Sequence, residues 1–152
     1  MKEFKTSDDI LNFAIEREQS SIDFYQEQAS KSVNNHIRKT FERFAKEEKG
    51  HKSKLIKIKE KKTFELSKNN MRDLKIADYI SDDIVSTDNL NYQDALILAM
   101  KREKSAFKLY TALANKTNDT LLQNLFLKLA SEESKHKLMF ELEYDEVILN
   151  EN

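Results

Sequence analysis

The chain has 152 residues, the size of one domain, with 35% charged and 39% hydrophobic residues; that apolar share allows a buried core and argues against a disordered tail protein. It has no Pro, no Cys and a single Gly, Gly50, which speaks against turn-rich β architectures and rules out disulfides, Cys-type zinc sites, iron–sulfur clusters and thiol nucleophiles. Lys plus Arg number 26 against 27 Asp plus Glu, a net charge of −1, so no global field draws the chain to nucleic acid or to an anionic membrane.

The residues from Met1 to Asp9 lack the apolar centre of a targeting segment, and apolar residues nowhere run together for a membrane span. A soluble, cytoplasmic protein is the expectation. The first predicted helix covers about 7–32. Thr6 with Asp9 resembles an N-terminal capping pair, Asp standing in for the usual Glu or Gln. Ser32-Val33-Asn34-Asn35 is a polar break, and a second helix is predicted over 35–62. Its Lys-rich end, Lys57 to Lys62, has the composition of a solvated helix terminus.

A connection over 63–91 follows, in which Met71 to Ile80 has the pattern of a short amphipathic helix. A link of that length permits a crossover along a bundle. Asn91 with Asp94 repeats the capping pattern before a third helix over 92–116; the polar break Asn115 to Asp119 precedes a fourth over 119–147. Short breaks make each pair antiparallel neighbours. The predicted architecture is all-α: an antiparallel four-helix bundle of two helical hairpins, 7–62 and 92–147, in one domain over 1–152.

An offset of 85 residues superposes the two hairpins. Ala14-Ile15-Glu16-Arg17-Glu18 lies over Ala99-Met100-Lys101-Arg102-Glu103, Tyr25 over Tyr110, and Phe41 over Phe126. Glu47-Glu48 falls on Glu132-Glu133, and His51 on His136.

Each helix has an apolar seam at alternating steps of three and four. The first reads Leu11, Ala14, Glu18, Ile22 (or Ser21), Tyr25, Ala29; the second Ile37, Phe41, Phe44, Glu48, His51, Leu55, Ile58. The third reads Leu96, Ala99, Glu103, Phe107, Tyr110, Ala114; the fourth Leu122, Phe126, Leu129, Glu133, His136, Phe140. Every seam is interrupted near its middle by Glu, and no Lys or Arg stands in a seam. Moving one ionised carboxylate into a core costs several kcal/mol even after relaxation, and four together repel one another. Two divalent cations would cancel four negative charges, with imidazole adding ligands at no charge. In Glu48-x-x-His51 and Glu133-x-x-His136 the i and i+3 residues share a helical face, so the carboxylate can bridge two ions while the imidazole binds one. Each pair lies 30 residues after a lone seam Glu, Glu18 or Glu103. Carboxylate and imidazole ligands suit iron or manganese.

The other polar candidates have plainer readings. Glu16, Glu47 and Glu132 belong to solvated faces. His36 aligns with Leu121, begins a helix and reads as surface or structural. Tyr25 and Tyr110 stand two turns after Glu18 and Glu103, either as core tyrosines or as donors to a ligand carboxylate. Gly50 either makes room beside the site or is tolerated at a modest helix penalty.

On Glu18 through Tyr25, Glu48-x-x-His51, Glu103 through Tyr110 and Glu133-x-x-His136, nearly the whole chain resembles the ferritin-like superfamily, specifically the erythrin domain of rubrerythrin-type proteins. The resemblance implies two irons bridged by Glu48 and Glu133, with Glu18 and Glu103 as terminal carboxylates and His51 and His136 ligating one iron each. It further implies reduction of hydrogen peroxide or dioxygen, and dimers, in some relatives with exchanged hairpins. Two departures stand out. The absence of Cys leaves no rubredoxin-like module, so electrons would come from a separate donor such as a rubredoxin. The extra carboxylate that such proteins carry one turn after the third-helix ligand is Ala106 here, which makes the site more symmetrical and closer to a ferroxidase centre.

Three functions are therefore weighed: a diiron oxidoreductase (iron, manganese or a mixed pair), a ferroxidase or iron-handling protein, and a metal-free helical interaction module. Bound metal separates the last from the others, and size separates a dimer from a storage shell.

Overall fold

In a computed structural model, residues 3–80 and 90–151 are described. They form five α-helices and one 3₁₀ turn: α1 Ser7–Lys31, α2 Asn35–Lys61, α3 Lys68–Arg72, the turn Ile76–Tyr79, α4 Tyr92–Lys116 and α5 Thr120–Glu151. Among the described residues there is no strand. The chain divides into two compact units, Met1–Asp73 and Leu74–Asn152, each built around one hairpin of long helices.

The first unit pairs α1 with α2. Thr6 caps α1: its Oγ1 accepts from the Asp9 N–H at 3.1 Å, and the Asp9 carboxylate accepts from the Thr6 N–H (3.1 Å) and the Lys5 N–H (3.0 Å). These backbone donors, Lys5's first, hold the Asp9 carboxyl below its ordinary value. Asn34 caps α2 by accepting from the backbone N–H groups of His36 and Ile37 at 2.9 and 3.2 Å. Helix α2 closes on Lys62, in the left-handed region with φ 55°, and its N–H reaches back to the Ile58 carbonyl at 3.1 Å. The chain then returns along α1, where the Leu66 N–H donates to Ser7 Oγ at 2.9 Å.

One expected element takes a different form. Met71 to Ile80 is not a single amphipathic helix: α3 ends at Arg72, and a 3₁₀ turn begins at Ile76. Ser67 accepts from the Asn70 N–H at 3.1 Å and so starts the helix earlier than the pattern implies. Leu74 and Tyr79 are both buried. Five positions of continuous helix would set them about 140° apart, whereas the break lets both point inward. The remainder of the connection, 81–89, lies outside the described residues.

In the second unit α4 packs on α5, and the 3₁₀ turn lies against α4. Asn91 caps α4 by accepting from the Asp94 N–H at 2.8 Å. Asp119, expected inside the fourth helix, is instead the residue before it, and its carboxylate accepts from the N–H groups of Leu121 and Leu122 at 2.9 and 3.2 Å. Far along the hairpin, Tyr92 donates its hydroxyl to Glu143 Oε1 at 2.8 Å. Burial, with that bond, pushes the Tyr92 phenol well above its ordinary value. Helix α5 continues beyond this level to Glu151, further than the expected end at 147. No helix among the described residues is long and apolar enough to cross a membrane.

Candidate metal centre

The hairpin geometry fixes the depth of the seam carboxylates. Glu18 and Glu48 stand equally far from Val33 in the first turn, and Glu103 and Glu133 equally far from Asn118 in the second. Antiparallel helices of equal rise bring each pair to one level, about 22 Å from its turn.

Glu18 on α1 meets Glu48 and His51 on α2. All three are buried, Glu48 with no exposed surface at all. His51 Nδ1 lies 3.4 Å from Glu18 Oε2 and 3.5 Å from Glu48 Oε1. In the second unit His136 Nδ1 lies 3.6 Å from Glu103 Oε1 and 3.9 Å from Glu133 Oε1, again with all three residues buried. Within each triad the candidate ligand atoms fall within 4.8 Å of one another.

These separations test whether the residues fit a metal. A well-formed N–H···O hydrogen bond spans about 2.7–3.2 Å, and all four distances are longer. Nitrogen and oxygen ligands about 2.0–2.2 Å from one ion, set at right angles to about 120°, stand roughly 2.8–3.8 Å apart. Three of the four distances lie in that range, and the fourth slightly beyond it. The donor set is hard carboxylate oxygen with borderline imidazole nitrogen, the type that takes iron or manganese. Each triad fits the edge of an ion's coordination shell.

Around the triads the seams are buried as expected, with two corrections. Phe107, placed in the α4 seam, is 39% exposed. The buried arc of α4 leans toward Arg102, Leu109 and Leu113, so Phe107 stands at its border. Ile37 at the start of the α2 seam is only half-buried. Tyr25 and Tyr110 are buried in aromatic stacks: Tyr25 against Phe41, centroids 6.1 Å apart, and Tyr110 against Phe126 at 6.5 Å. His36 is exposed at the start of α2, outside either triad. Gly50 is exposed, and a Cβ there would meet nothing within 4 Å. It therefore makes no room for the site.

The seam pattern passed over Arg102, which is buried next to Glu103. It lies a third of a turn off the seam, so stepping by three and four misses it. Leu98 and Leu109, one turn before and two turns after it, are both buried and carry the signal. Gln19 was also passed over. It accepts a hydrogen bond from Lys52 Nζ, a tie between α1 and α2 beside Glu18 and His51.

The sequence matches the family model described as Rubrerythrin over residues 9–144. A solved structure of a hypothetical protein from Pyrococcus furiosus is similar at 25% identity with a TM-score of 0.72, covering 93% of this chain and 89% of that one. No curated protein matches the chain. The family match and the likeness of fold agree with the all-α, ferritin-like class that the seams imply.

Proposed function

Because this chain belongs to the rubrerythrin family, we propose that its two triads act together as one dinuclear iron centre in a non-haem oxidoreductase that reduces hydrogen peroxide or dioxygen. The observation that carries this is the pair of buried Glu/Glu/His sets with internal separations of 3.4–3.9 Å. Glu18, Glu48, Glu103 and Glu133 supply four negative charges, which two divalent ions balance; His51 and His136 add one nitrogen each. Glu48 and Glu133 are the bridging candidates, since each shares a helical face with a His. Ferrous ions held by these six residues would supply the two electrons that an O–O bond takes up on reduction.

The chain's own contribution is to hold the ligands without rearrangement and to keep bulk water away. In this reading the Tyr25 and Tyr110 hydroxyls donate toward the ligand carboxylates, which the lean of helical side chains toward the N-terminus supports. Hydrogen peroxide takes two electrons and two protons to give two waters, and the electrons come from a separate donor protein such as a rubredoxin. The setting is a soluble cytoplasmic protein in which the two hairpins form a single domain.

The test is to load the protein with iron, reduce it anaerobically and mix it with hydrogen peroxide. Stoichiometric loss of peroxide with new near-ultraviolet absorption is expected. Unchanged peroxide and an unchanged spectrum would refute it. A second reading, a ferroxidase, is favoured by Ala106, which leaves no carboxylate one turn after Glu103. It predicts faster reaction with dioxygen than with peroxide and handover of the oxidised iron.

A further inference from the structure

The outer side of α2 carries a feature that the metal centre does not use. Lys39, Arg43, Lys46, Lys54, Lys57 and Lys61 fall, at 100° per residue, within an arc of about 80°. All are exposed except Lys54, which is half-buried. They form a ridge about 33 Å long, and its one gap holds Gly50, the single glycine of the chain. The exposed acids of the helix, Glu42, Glu47 and Glu60, lie outside the arc. Among the described residues none of the ridge lysines has an ion pair or a side-chain hydrogen bond, whereas Lys31 and Lys137 pair with Glu27 and Glu141 of their own helices. Arg43 lies over the Phe44 ring, 5.2 Å from its centroid. Lys57 and Lys61, which by composition belong to a solvated helix end, are thus part of a longer line of uncompensated charge.

The duplication does not account for the ridge. At the offset of 85 residues its positions become Asn124, Lys128, Ser131, Met139, Leu142 and Glu146, with Lys135 in the place of Gly50. With a net charge of −1 for the whole chain, the positive field is local to one face of one helix.

We propose that this ridge is the docking surface for the acidic face of the protein that delivers electrons to the metal centre. The proposal rests on the redox reading of that centre. Position favours it first. Gly50 stands between Glu48 and His51 in the chain, and Glu48 projects about 160° round the helix from it, about 3 Å along the axis. A partner seated at the gap is separated from that ligand carboxylate by one helix, about 10–12 Å across, and electron transfer through protein weakens steeply with distance. A Cβ at Gly50 would meet nothing within 4 Å, so a partner's surface can approach the helix backbone there, with Lys46 and Lys54 one turn to either side. The chemistry of the ridge favours the same occupant. Lysine ammonium groups are flexible, strongly hydrated point charges, whereas recognition of nucleic-acid phosphates favours the rigid fork of arginine, which appears once. Such a surface speeds encounter without fixing a long-lived complex. A donor that must bind, transfer and leave requires that behaviour, and electron-transfer interfaces are small.

The test compares the unaltered chain with two variants of equal net charge. One carries Lys46→Glu, Lys54→Glu and Lys57→Glu on the ridge; the other carries Lys104→Glu, Lys108→Glu and Lys128→Glu, all exposed on α4 and α5. Neither touches a triad. The probe is a rubredoxin of net negative charge. In calorimetric titrations with both proteins oxidised, the ridge variant should bind at least about tenfold more weakly, and the control variant within about twofold of the unaltered chain. Raising the salt should weaken binding to the unaltered chain. Reduced rubredoxin should likewise reduce the iron-loaded ridge variant at least about tenfold more slowly, while a small uncharged reductant should reduce all three at one rate. Equal losses in both variants, or rubredoxin binding that ignores the ridge changes, would overturn the proposal alone. So would tighter binding of a double-stranded oligonucleotide than of rubredoxin at the same salt, which would make the ridge a nucleic-acid surface. A centre that neither reductant reduces would overturn the redox reading and this proposal with it.

Discussion

The two hairpins descend from one pattern but do not surround their triads alike. In the first, His51 lies 3.4 and 3.5 Å from its carboxylates, and a Lys52–Gln19 bond ties the helices beside them. In the second, His136 stands farther off, at 3.6 and 3.9 Å, and Lys137 turns instead to Glu141 of its own helix. The first hairpin buries no arginine at the level of its lone Glu, since Arg17 is only half-buried, whereas Arg102 is buried beside Glu103. Tyr25 meets the rings of Phe24, Phe41 and Phe44; Tyr110 stacks on Phe126, with Leu129 at the position of Phe44. A duplicated ligand set can thus be held by two different supports. The ligands answer to charge and the supports to local packing.

The comparison breaks first if metal does not join the halves. Removing metal with a chelator should lower the thermal midpoint by about 8–16 °C for each ion bound about a thousandfold above its dissociation constant. Calorimetry with and without iron reads this directly. An unchanged midpoint would mean that the two triads are stable without ions.

Next come the two arginines. Arg102→Met should cost about 1–3 kcal/mol, as expected when a buried polar side chain is replaced, while Arg17→Met should cost under about 1 kcal/mol. Equal costs in urea unfolding would erase the asymmetry. Phe44→Leu writes the second hairpin's residue into the first and should cost about 1 kcal/mol through the lost ring contact with Tyr25.

Smaller effects sharpen the picture further. Gly50→Ala should stabilise α2 by about 0.5–1 kcal/mol, because a Cβ meets open space there and the second hairpin already carries a side chain, Lys135, at that position. At the start of α1 the Asp9 carboxyl is held below its ordinary value of 3.8. A depressed carboxyl stabilises the fold above that value and ceases to do so as pH falls through the lower folded one. The Lys5 and Thr6 amide resonances should therefore shift in acid, and the change should vanish in Asp9→Asn.

Burial of the six Glu and His side chains was legible because a seam at helical spacing was interrupted by ionisable groups at a fixed repeat. Two caps were legible too, since Thr6 and Asn91 carry the side-chain acceptors that helix starts need, whereas Asn34 read only as part of a polar break. What escaped depended on neighbours off the seam. Arg102 is buried by the lean of α4, and the same lean leaves Phe107 half out. The break at Asp73 to Lys75 serves two anchors, Leu74 and Tyr79, whose inward placement no local pattern encodes. Asp119 showed the limit at a boundary: a good cap looks like the first residue of the helix it begins.

The most direct test of the account is element-specific anomalous scattering from crystals grown with iron. Two neighbouring peaks, with ligands from Glu18, Glu48 and His51 and from Glu103, Glu133 and His136, are predicted, and occupancy should collapse in Glu48→Ala and in His136→Ala. Iron-replete crystals with no peak near these side chains, or with peaks that survive both substitutions, would contradict it.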